Sequence, residues 1–333
     1  MEKLRHNWTE KEVLEIYNMP LLNLVYEAAT IHRKFQTASE VQVSSLLSIK
    51  TGACSEDCAY CPQSARYKTG ISAHPLMDIG QVIEAAKMAK EAGATRFCMG
   101  AAWREVKDNE DFEKVLQMVR EVNALGMEVC CTLGMLTESQ AKRLADAGLF
   151  AYNHNVDTSP EFYKKIITTR TYEDRIRTIN NVRKAGITVC SGGIIGMGES
   201  VRDRIGMILT LSSLNPHPES VPINALIPVK GTPMGNNEPV SVWEMARMIA
   251  TTRIVMPKSV VRLSAGRVAI SKEGQALCFM AGANSIFLGE KLLTQANPEV
   301  NEDLEMFKLL GMEPRKAFKN LKEKLELSIE ENI

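Results

Sequence analysis

Three cysteines in the first quarter of the chain have a spacing that can bind metal. Cys54, Cys58 and Cys61 form the pattern C-x3-C-x2-C. Three thiolates this close together can bind three irons of a [4Fe–4S] cluster and leave the fourth iron open to another ligand. A zinc site is the alternative, but structural zinc takes a fourth protein ligand nearby, and no Cys or His lies between Cys61 and His74. The pattern therefore favours an iron–sulfur cluster.

A second set of chemically capable residues is dispersed along the chain. Cys98, Cys130 and Cys190 each lie in a predicted strand, at intervals of 32 and 60 residues, and Arg262 follows 72 residues later. These intervals correspond to about one, two and two βα units of a barrel, so inward-facing side chains could converge. Each cysteine alone is explained as a small core residue. Together with Arg262, whose buried guanidinium would need an anionic partner, they are also compatible with a second metal site.

Two further cysteines have less informative surroundings. Cys131 follows Cys130 directly, and adjacent strand residues point to opposite faces. The pattern leaves open which of the two faces inward. Cys278 lies in an apolar segment that is typical of a buried helix.

The elements that must position these residues follow a repeated pattern. Amphipathic helices end at Gly93, Gly126, Gly148 and Gly186, and an apolar run typical of a strand follows each glycine. Thr137 with Gln140 three residues later predicts a capping box at the start of one of these helices. The predicted strands are residues 43–50, 95–99, 127–133, 149–153, 187–195, 220–227, 259–264 and 284–288. Eight strands alternating with helices predict an α/β fold, a (β/α)8 TIM barrel with its active-site loops after the strands.

The runner-up fold is an open doubly wound sheet, although no glycine-rich dinucleotide turn follows an early strand. We expect one domain over residues 1–333, with the barrel at about 43–290, N-terminal helices within 1–40 and a charged C-terminal helical tail at 300–331. The N-terminal helices should present one broad apolar face, formed by Leu21, Leu22, Leu24, Val25, Ala28 and Ile31.

The composition narrows the functional class. The chain has 333 residues, of which 45% are apolar, and its 40 Lys and Arg balance 40 Asp and Glu. This neutral balance argues against a nucleic-acid or anionic-membrane partner. No apolar run approaches the roughly 18 residues of a spanning helix, and no signal peptide opens the sequence. We therefore expect a cytoplasmic protein whose eight cysteines do not form a disulfide scaffold.

Several segments together resemble one known family. Residues 54–64, CSEDCAYCPQS, resemble the cluster loop of radical S-adenosylmethionine (SAM) enzymes, and specifically that of the biotin synthase family. Residues 152–163, YNHNVDTSPEFY, are similar to the family's fourth-strand segment, and residues 190–199, CSGGIIGMGE, to its fifth. Residues 220–224, 261–267 and 281–287 resemble later ones. The resemblance covers about residues 15–312.

The resemblance implies a role for each matching position. Cys54, Cys58 and Cys61 would hold a [4Fe–4S] cluster whose open iron binds SAM, and reductive cleavage of SAM would give a 5′-deoxyadenosyl radical. The ligands of a sulfur-donating [2Fe–2S] cluster would be Cys98, Cys130, Cys190 and Arg262, with Cys131 left outside. Asn155 and Asp157 would contact the SAM ribose. The other implied cofactor contacts are Tyr60, Arg170, Gly192, Gly193 and Gly196; Arg170 could instead cap the helix that follows it.

The resemblance also implies the substrate and the partners. Dethiobiotin would be converted to biotin with two SAM molecules, and Asn153 and Asn224 would hydrogen-bond its ureido ring. Flavodoxin or ferredoxin would supply electrons, and the protein would be a homodimer. The resemblance gives His154 no role, and we interpret it as a hydrogen-bonded structural histidine.

Three alternatives compete with this interpretation. Other radical SAM enzymes share the barrel and the first cluster but generally lack the interior Cys, Cys, Cys and Arg set. Lipoyl synthase uses a second compact cysteine triplet, which this chain lacks. A non-catalytic iron–sulfur carrier would give no reason for Asn153, Asn155, Asp157 and Asn224 on barrel strands.

Overall fold

A closed barrel of parallel strands forms the centre of the molecule. The structure, a computed structural model, describes residues 4–289 and 291–318. The strands are β1 (Glu40–Lys50), β2 (Arg96–Ala101), β3 (Glu128–Thr132), β4 (Ala151–Asn153), β5 (Thr188–Cys190), β6 (Gly193–Ile195), β7 (Ser220–Ala225), β8 (Val260–Leu263), β9 (Ser285–Phe287) and β10 (Glu313–Pro314). The sheet runs β1-β2-β3-β4-β5-β7-β8-β9, and β9 pairs with β1. This closure confirms the predicted (β/α)8 barrel and excludes the open sheet.

Helices precede, connect and follow the barrel strands. They are α1 (Glu10–Tyr17), α2 (Leu21–Phe35), α3 (Ile79–Glu91), α4 (Glu110–Ala124), α5 (Glu138–Asp146), α6 (Pro160–Ile166), α7 (Tyr172–Lys184), α8 (Val201–Ser213), α9 (Val242–Val255), α10 (Lys272–Met280) and α11 (Val300–Leu310). The predicted capping box of α5 is present, since Thr137 and Gln140 each accept a hydrogen bond from the other's backbone N–H. Gly93 follows α3 with φ +96°, a left-handed conformation that favours glycine. No helix in residues 4–289 and 291–318 is long and apolar enough to cross a bilayer.

The predicted fifth strand is interrupted. Residues 187–195 divide into β5 and β6, which are separated by Ser191 and Gly192. β5 pairs with β4 and β7, whereas β6 pairs with β7 and forms a bridge to Asp157. At this interruption, the backbone of Gly192 passes close to the Pro222 carbonyl of β7. A Cβ added at Gly192 would lie 2.0 Å from that oxygen. A single continuous strand was therefore the wrong prediction here.

The N-terminal extension is helical, as predicted, but its buried face is narrower. Leu24, Val25 and Ala28 of α2 are buried, and α2 packs against α9 and α10. Leu22, which we placed on the apolar face, is 80% exposed. It lies two residues from Leu24, about 200° around the helix, and so points away from the packed stripe.

The C-terminal extension is only partly helical. α11 ends at Leu310, where Gly311 adopts φ +65°, and β10 then pairs with the start of β1. The prediction of one helix over 300–331 is wrong for residues 311–318, because this left-handed glycine ends α11. Residues 319–331 of the predicted tail lie outside the described residues.

Candidate functional site

The loop after β1 brings the local cysteine triplet together. Cys54, Cys58 and Cys61 line one cavity of about 190 Å³ above the carboxyl ends of the strands. The chain reverses at Gly52, whose φ is +69°, and Cys54 N–H then donates to the Gln63 carbonyl at 3.0 Å. The loop is thus held as a compact turn with its thiols facing inward.

The surroundings of the triplet suit a cluster better than a single ion. Burial raises the pKa of the Cys58 thiol to about 12 and that of Cys61 to about 11, so that these thiols need positive charge to ionise. In the described ranges, no three His, Cys, Asp or Glu side chains are placed to hold one metal ion. In a [4Fe–4S] cluster each cysteine binds a different iron, so its ligands need not converge on one point. The donor set therefore fits a [4Fe–4S] cluster.

Acidic residues inside the cluster loop anchor it to the loop before α7. Asp57 accepts hydrogen bonds from the backbone N–H groups of Thr168 and Thr169 at 2.9 and 3.2 Å, and Glu56 accepts one from the Thr169 hydroxyl. Partial burial opposes ionisation of Asp57, but these hydrogen bonds lower its pKa to about 2. The position of the cysteines therefore depends on a segment more than 100 residues away.

Arg170 lies beside the cluster loop. Its Nη2 is 3.9 Å from Cys58 Sγ, and its Nε is 3.8 Å from a Glu56 carboxylate oxygen. The cap of α7 is Thr171, which exchanges hydrogen bonds with Asp174. The suggestion that Arg170 caps this helix is therefore wrong, and its guanidinium instead places positive charge next to a predicted cluster ligand.

The dispersed set converges inside the barrel. Cys98 and Cys130 are register partners on β2 and β3, and each thiol shifts the pKa of the other. Cys190 is the register partner of Asn153, whose amide lies 3.3 Å from its Sγ. Arg262 lines the same cavity as Cys98 and Cys130, and all four of these predicted ligands are buried. The structure thus brings together residues that are 164 positions apart in the chain.

Neutral groups hold the guanidinium of Arg262. It donates to Ser285 Oγ at 2.9 Å, to Gln42 Oε1 at 2.9 Å and to Ser44 Oγ at 3.1 Å, and it stacks 4.4 Å above the Phe287 ring. Among the described residues, every side chain that accepts a hydrogen bond from this guanidinium is uncharged. Burial raises the pKa of the Cys190 thiol, and the positive charge of Arg262 opposes this rise; the neighbouring Cys130 and, to a smaller extent, Arg262 lower the pKa of Cys98. A thiolate-ligated cluster at this point would supply the missing negative charge, so the residues fit such a group.

The remaining two cysteines lie apart from this set. Cys131 is fully buried and belongs to the main hydrophobic core, whereas Cys130 packs with Cys98 in a smaller cluster inside the barrel. The pair therefore faces opposite sides of β3, with Cys130 inward. Cys278 is buried in α10, as predicted.

Asp157 is the centre of a buried charged group. Its Oδ2 accepts a hydrogen bond from Tyr60 Oη at 2.9 Å and pairs with the Arg175 guanidinium. Asp157 has φ +68°, a left-handed conformation in which Asp and Asn are enriched. Arg175 lies near the start of α7. The sequence did not indicate it as a site residue, because the apolar pattern around it predicts only a helix.

Three asparagines line the same cavity as Asp157. Asn153 Nδ2 lies 3.3 Å from Asn155 Oδ1, and Asn155 Oδ1 also accepts from Gly192 N–H at 3.1 Å. Asn224 donates to the Gly193 carbonyl at 3.0 Å and accepts from the backbone, which uses one donor and one lone pair of its amide. Each amide has two donors and two lone pairs, so capacity remains for a ligand.

The glycines predicted to approach the cofactor do not line either cavity. An added Cβ would lie 2.1 Å from Met207 Sδ at Gly193, and 2.4 Å from Val240 Cγ2 at Gly196. Together with the close approach at Gly192, these distances mean that the absence of a side chain serves close packing of the protein itself. Contact of Gly192, Gly193 and Gly196 with SAM stays a prediction.

His154 is buried, with 3% of its surface exposed, and lines the cavity of the cysteine triplet. Burial, together with the nearby Arg175 and Arg170, lowers its pKa well below the ordinary value, so the ring is neutral. Its Nε2 has no hydrogen-bond partner among the described residues. The prediction of a fully hydrogen-bonded histidine is therefore wrong for this atom.

A continuous polar wall joins the two predicted metal sites. The cavity that contains Cys98, Cys130 and Arg262 has a volume of about 280 Å³, a size suited to a small molecule. Eight residues line both this cavity and that of the triplet, namely Tyr60, Cys61, Gln63, Thr132, Asn153, Asn155, Asp157 and Leu293. Residues 292–295, which the sequence did not indicate as part of the site, lie against these cavities. Leu293 lines both cavities, and Leu292, Thr294 and Gln295 line the larger one.

Comparison with known sequences finds two family profiles and many similar proteins. The profile of the radical SAM superfamily matches residues 48–211, and that of the Biotin and Thiamin Synthesis associated domain matches residues 222–313. A biotin synthase of Christiangramia forsetii is 65% identical over 315 residues, which are 95% of this chain and 87% of that protein. The mitochondrial biotin synthase of Arabidopsis thaliana is 58% identical over 312 residues, 93% of this chain and 82% of that protein.

Solved structures share the fold at low sequence identity. Methylornithine synthase has a TM-score of 0.78 at 18% identity, covering 92% of this chain and 94% of that one. The FeFe-hydrogenase maturase of Carboxydothermus hydrogenoformans has a TM-score of 0.76 at 17% identity, covering 92% and 76%. This likeness concerns the barrel and its extensions alone.

Proposed function

Because the chain belongs to the biotin synthase family of radical SAM enzymes, we propose that its two adjoining cavities carry out sulfur insertion into dethiobiotin to form biotin. The observation that carries the proposal is the wall of residues shared by the two cavities. This shared wall supports the proposal because the local triplet lines the smaller cavity, Cys98, Cys130 and Arg262 line the larger one, and Asn153 and Asn155 line both.

The smaller cavity is the proposed SAM site. Cys54, Cys58 and Cys61 would hold a [4Fe–4S] cluster, and the iron without a cysteine ligand would bind SAM. When bound, this pair supplies a 5′-deoxyadenosyl radical, which can break unactivated C–H bonds that acid–base side chains cannot. Asp157 would accept hydrogen bonds from the ribose hydroxyls, and Asn155, whose Oδ1 already accepts two hydrogen bonds, would donate to them through Nδ2, since both residues line this cavity.

Further SAM contacts are proposed around this pair. Tyr60 Oη would help to orient Asp157, to which it already donates. Arg170 would act at the edge of the site, beside Cys58. The backbone at Gly192, Gly193 and Gly196 would contribute through the β5–β6 segment, which is bonded to Asn155 and Asp157.

The larger cavity is the proposed dethiobiotin site. A ureido ring presents both N–H and C=O groups, and the side-chain amides of Asn153 and Asn224 can pair with both kinds. Asn153 also contacts Cys190 Sγ at 3.3 Å. A ring bound to Asn153 would therefore lie next to the interior cysteines.

The sulfur-donating substrate is proposed to be a [2Fe–2S] cluster held by Cys98, Cys130, Cys190 and Arg262. The uncompensated charge of Arg262 supports this assignment, because a buried guanidinium is costly without negative charge nearby. Its hydrogen bonds to three neutral side chains fix its position before the cluster binds.

The protein's own contribution is to position these groups and to exclude water. The barrel wall is closed by its continuous strand pairing, and Leu292 and Leu293 cover the cavities with apolar side chains. A dry, fixed geometry directs a reactive radical to one substrate atom. We further propose a flavodoxin or ferredoxin as electron donor, a homodimeric assembly and a cytoplasmic location.

Anaerobic reconstitution tests this proposal directly. The protein is loaded with iron and sulfide and incubated with SAM, a reductant and dethiobiotin. We expect biotin, 5′-deoxyadenosine and methionine. Deoxyadenosine without biotin would instead indicate another radical SAM reaction, and the absence of both products would indicate an iron–sulfur carrier.

Adjacent cysteines supply a matched pair of variants. Cys130→Ala should abolish biotin formation while SAM cleavage continues, because its thiol faces the barrel interior. Cys131→Ala should behave as the unmodified protein, because its thiol lies in the core on the other face of β3. Equal activity in the two variants would refute the assignment of the donor site.

A further inference from the structure

The last described residues of the chain cross the amino-terminal end of the barrel. We define the C-terminal strap as residues 313–318. Its first two residues form β10, which lies parallel to the start of β1, and the Arg315 N–H donates to the Val41 carbonyl at 2.8 Å. The strap therefore lies at the end of the barrel opposite the SAM and substrate cavities.

Side chains of the C-terminal strap form the floor beneath the interior cysteines. The Arg315 guanidinium and the Phe318 N–H both donate to Glu128 Oε1, at 3.1 and 3.2 Å. The Phe318 ring stacks on Phe150 with centroids 6.4 Å apart. Phe150 belongs to the small cluster that contains Cys98 and Cys130, and the Phe318 ring packs against this cluster.

The outer side of the C-terminal strap faces solvent. Glu313, Pro314 and Lys316 are exposed, and Phe318 is half-buried. The docking contacts described above are two register pairs, the hydrogen bonds of the Arg315 and Phe318 N–H groups, one ion pair and one ring contact. Segments with few buried contacts open at low free energy relative to the core.

Opening the C-terminal strap leaves no unpaired buried charge. Glu128 Oε2 accepts from Arg96 Nε at 2.6 Å, so this carboxylate keeps a cationic partner when Arg315 leaves. The Arg315 side chain is already 15% exposed and would move into water. The large penalty for breaking a buried ion pair therefore does not apply to this movement.

We propose that the C-terminal strap opens the amino-terminal end of the barrel and provides the route by which iron and sulfide reach Cys98, Cys130 and Cys190. The inference rests on the proposed function, in which the donor cluster loses a sulfide and must be rebuilt. The opposite end is covered by the cluster loop and by residues 292–295, and it would hold SAM and dethiobiotin. Entry from the floor lets the donor site be refilled without dismantling the SAM site.

Thiol reactivity of the cluster-free protein tests access without relying on any cluster. The double variant Arg315→Ala, Phe318→Ala is compared with Lys316→Ala, which changes an exposed residue of the C-terminal strap. Alkylation by iodoacetamide is followed for each cysteine by peptide mass spectrometry. We expect Cys98 and Cys130 to react at least tenfold faster in the double variant, with Cys278 unchanged. Equal rates in both variants, or acceleration at Cys278 as well, would overturn the proposal.

Loss and refilling of the clusters supply the second measurement. With an iron chelator, the double variant should lose its [2Fe–2S] absorption at least tenfold faster than the control, and regain it faster with iron and sulfide, while the [4Fe–4S] signal is unaffected. Equal acceleration of both clusters would contradict the route. Failure to form biotin despite strap-dependent alkylation would refute the proposed function alone, whereas biotin formation with strap-independent alkylation would refute the route alone.

Discussion

Replacement of Asp157 by Asn separates a structural ion pair from a cofactor contact. The substitution keeps the shape of the side chain and removes its charge, and Asn tolerates the φ of +68° at this position about as well as Asp. In the folded protein, Asp157 is 2% exposed and pairs with Arg175, which is 5% exposed. Loss of one partner of such a buried pair costs about 3–5 kcal/mol. We expect about 3 kcal/mol, because the remaining oxygen of Asn can still accept from Tyr60 or Arg175.

The effect on SAM binding is expected to be separate from the effect on stability. A hydrogen bond to a charged group contributes about 1.5–3 kcal/mol, which corresponds to an increase of about 10- to 150-fold in the SAM dissociation constant of Asp157→Asn. Stability is measured by urea unfolding of the cluster-free protein, and affinity by anaerobic calorimetric titration of the loaded protein. Asp146→Asn, at an exposed position of α5, serves as the control. If Asp157→Asn loses stability but binds SAM with unchanged affinity, the ribose contact is refuted and Asp157 only anchors Arg175.

Three further outcomes are expected. Cys98→Ala should abolish the [2Fe–2S] absorption and spare that of the [4Fe–4S] cluster, and an unchanged spectrum would refute the interior site. Arg170→Met should make the [4Fe–4S] cluster harder to reduce in a potentiometric titration, because positive charge near Cys58 favours the reduced state; weaker SAM binding at an unchanged potential would show a cofactor contact instead. Burial and the neighbouring His6 lower the pKa of His217 to about 4 from 6.5, so the unfolded chain binds an extra proton between these values and stability falls as the pH drops through that window. His217→Gln should reduce this loss between about pH 6.5 and about pH 4 in urea unfolding of the cluster-free protein, and an unchanged slope would exclude His217 as its source.

The features that sequence predicts well are those encoded locally. The cysteine triplet is a short motif, and the helix ends at Gly93 and at the Thr137 cap follow from single turns. The barrel follows from repeating hydrophobic periods, because these determine which faces are buried. Leu22 shows the limit of this reasoning, since this apolar residue lies on the helix face away from the packed stripe and remains exposed.

Features that depend on pairing between distant segments were not visible in the sequence. Gln42, Ser44 and Ser285 accept hydrogen bonds from Arg262, and they can do so only in the folded barrel, where β1, β8 and β9 lie close together. A hint was present, because Gln42 and Ser44 alternate along a strand whose inward face should be apolar. The contacts of Arg175 with Asp157 and of Phe318 with Phe150 left no comparable pattern.

The closure of the barrel between β1 and β9 has a consequence for the order of events during protein synthesis. Gln42 and Ser44 leave the ribosome more than 200 residues before Arg262, whose guanidinium they hold. A nascent chain that has exposed the local triplet and even Cys190 still lacks the last donor ligand and the strands that close around it. Contacts of such long sequence separation form late. The triplet of the proposed SAM site would therefore be available to iron during translation, whereas the proposed donor site would be complete only after the chain is almost finished, and its loading would be a post-translational step.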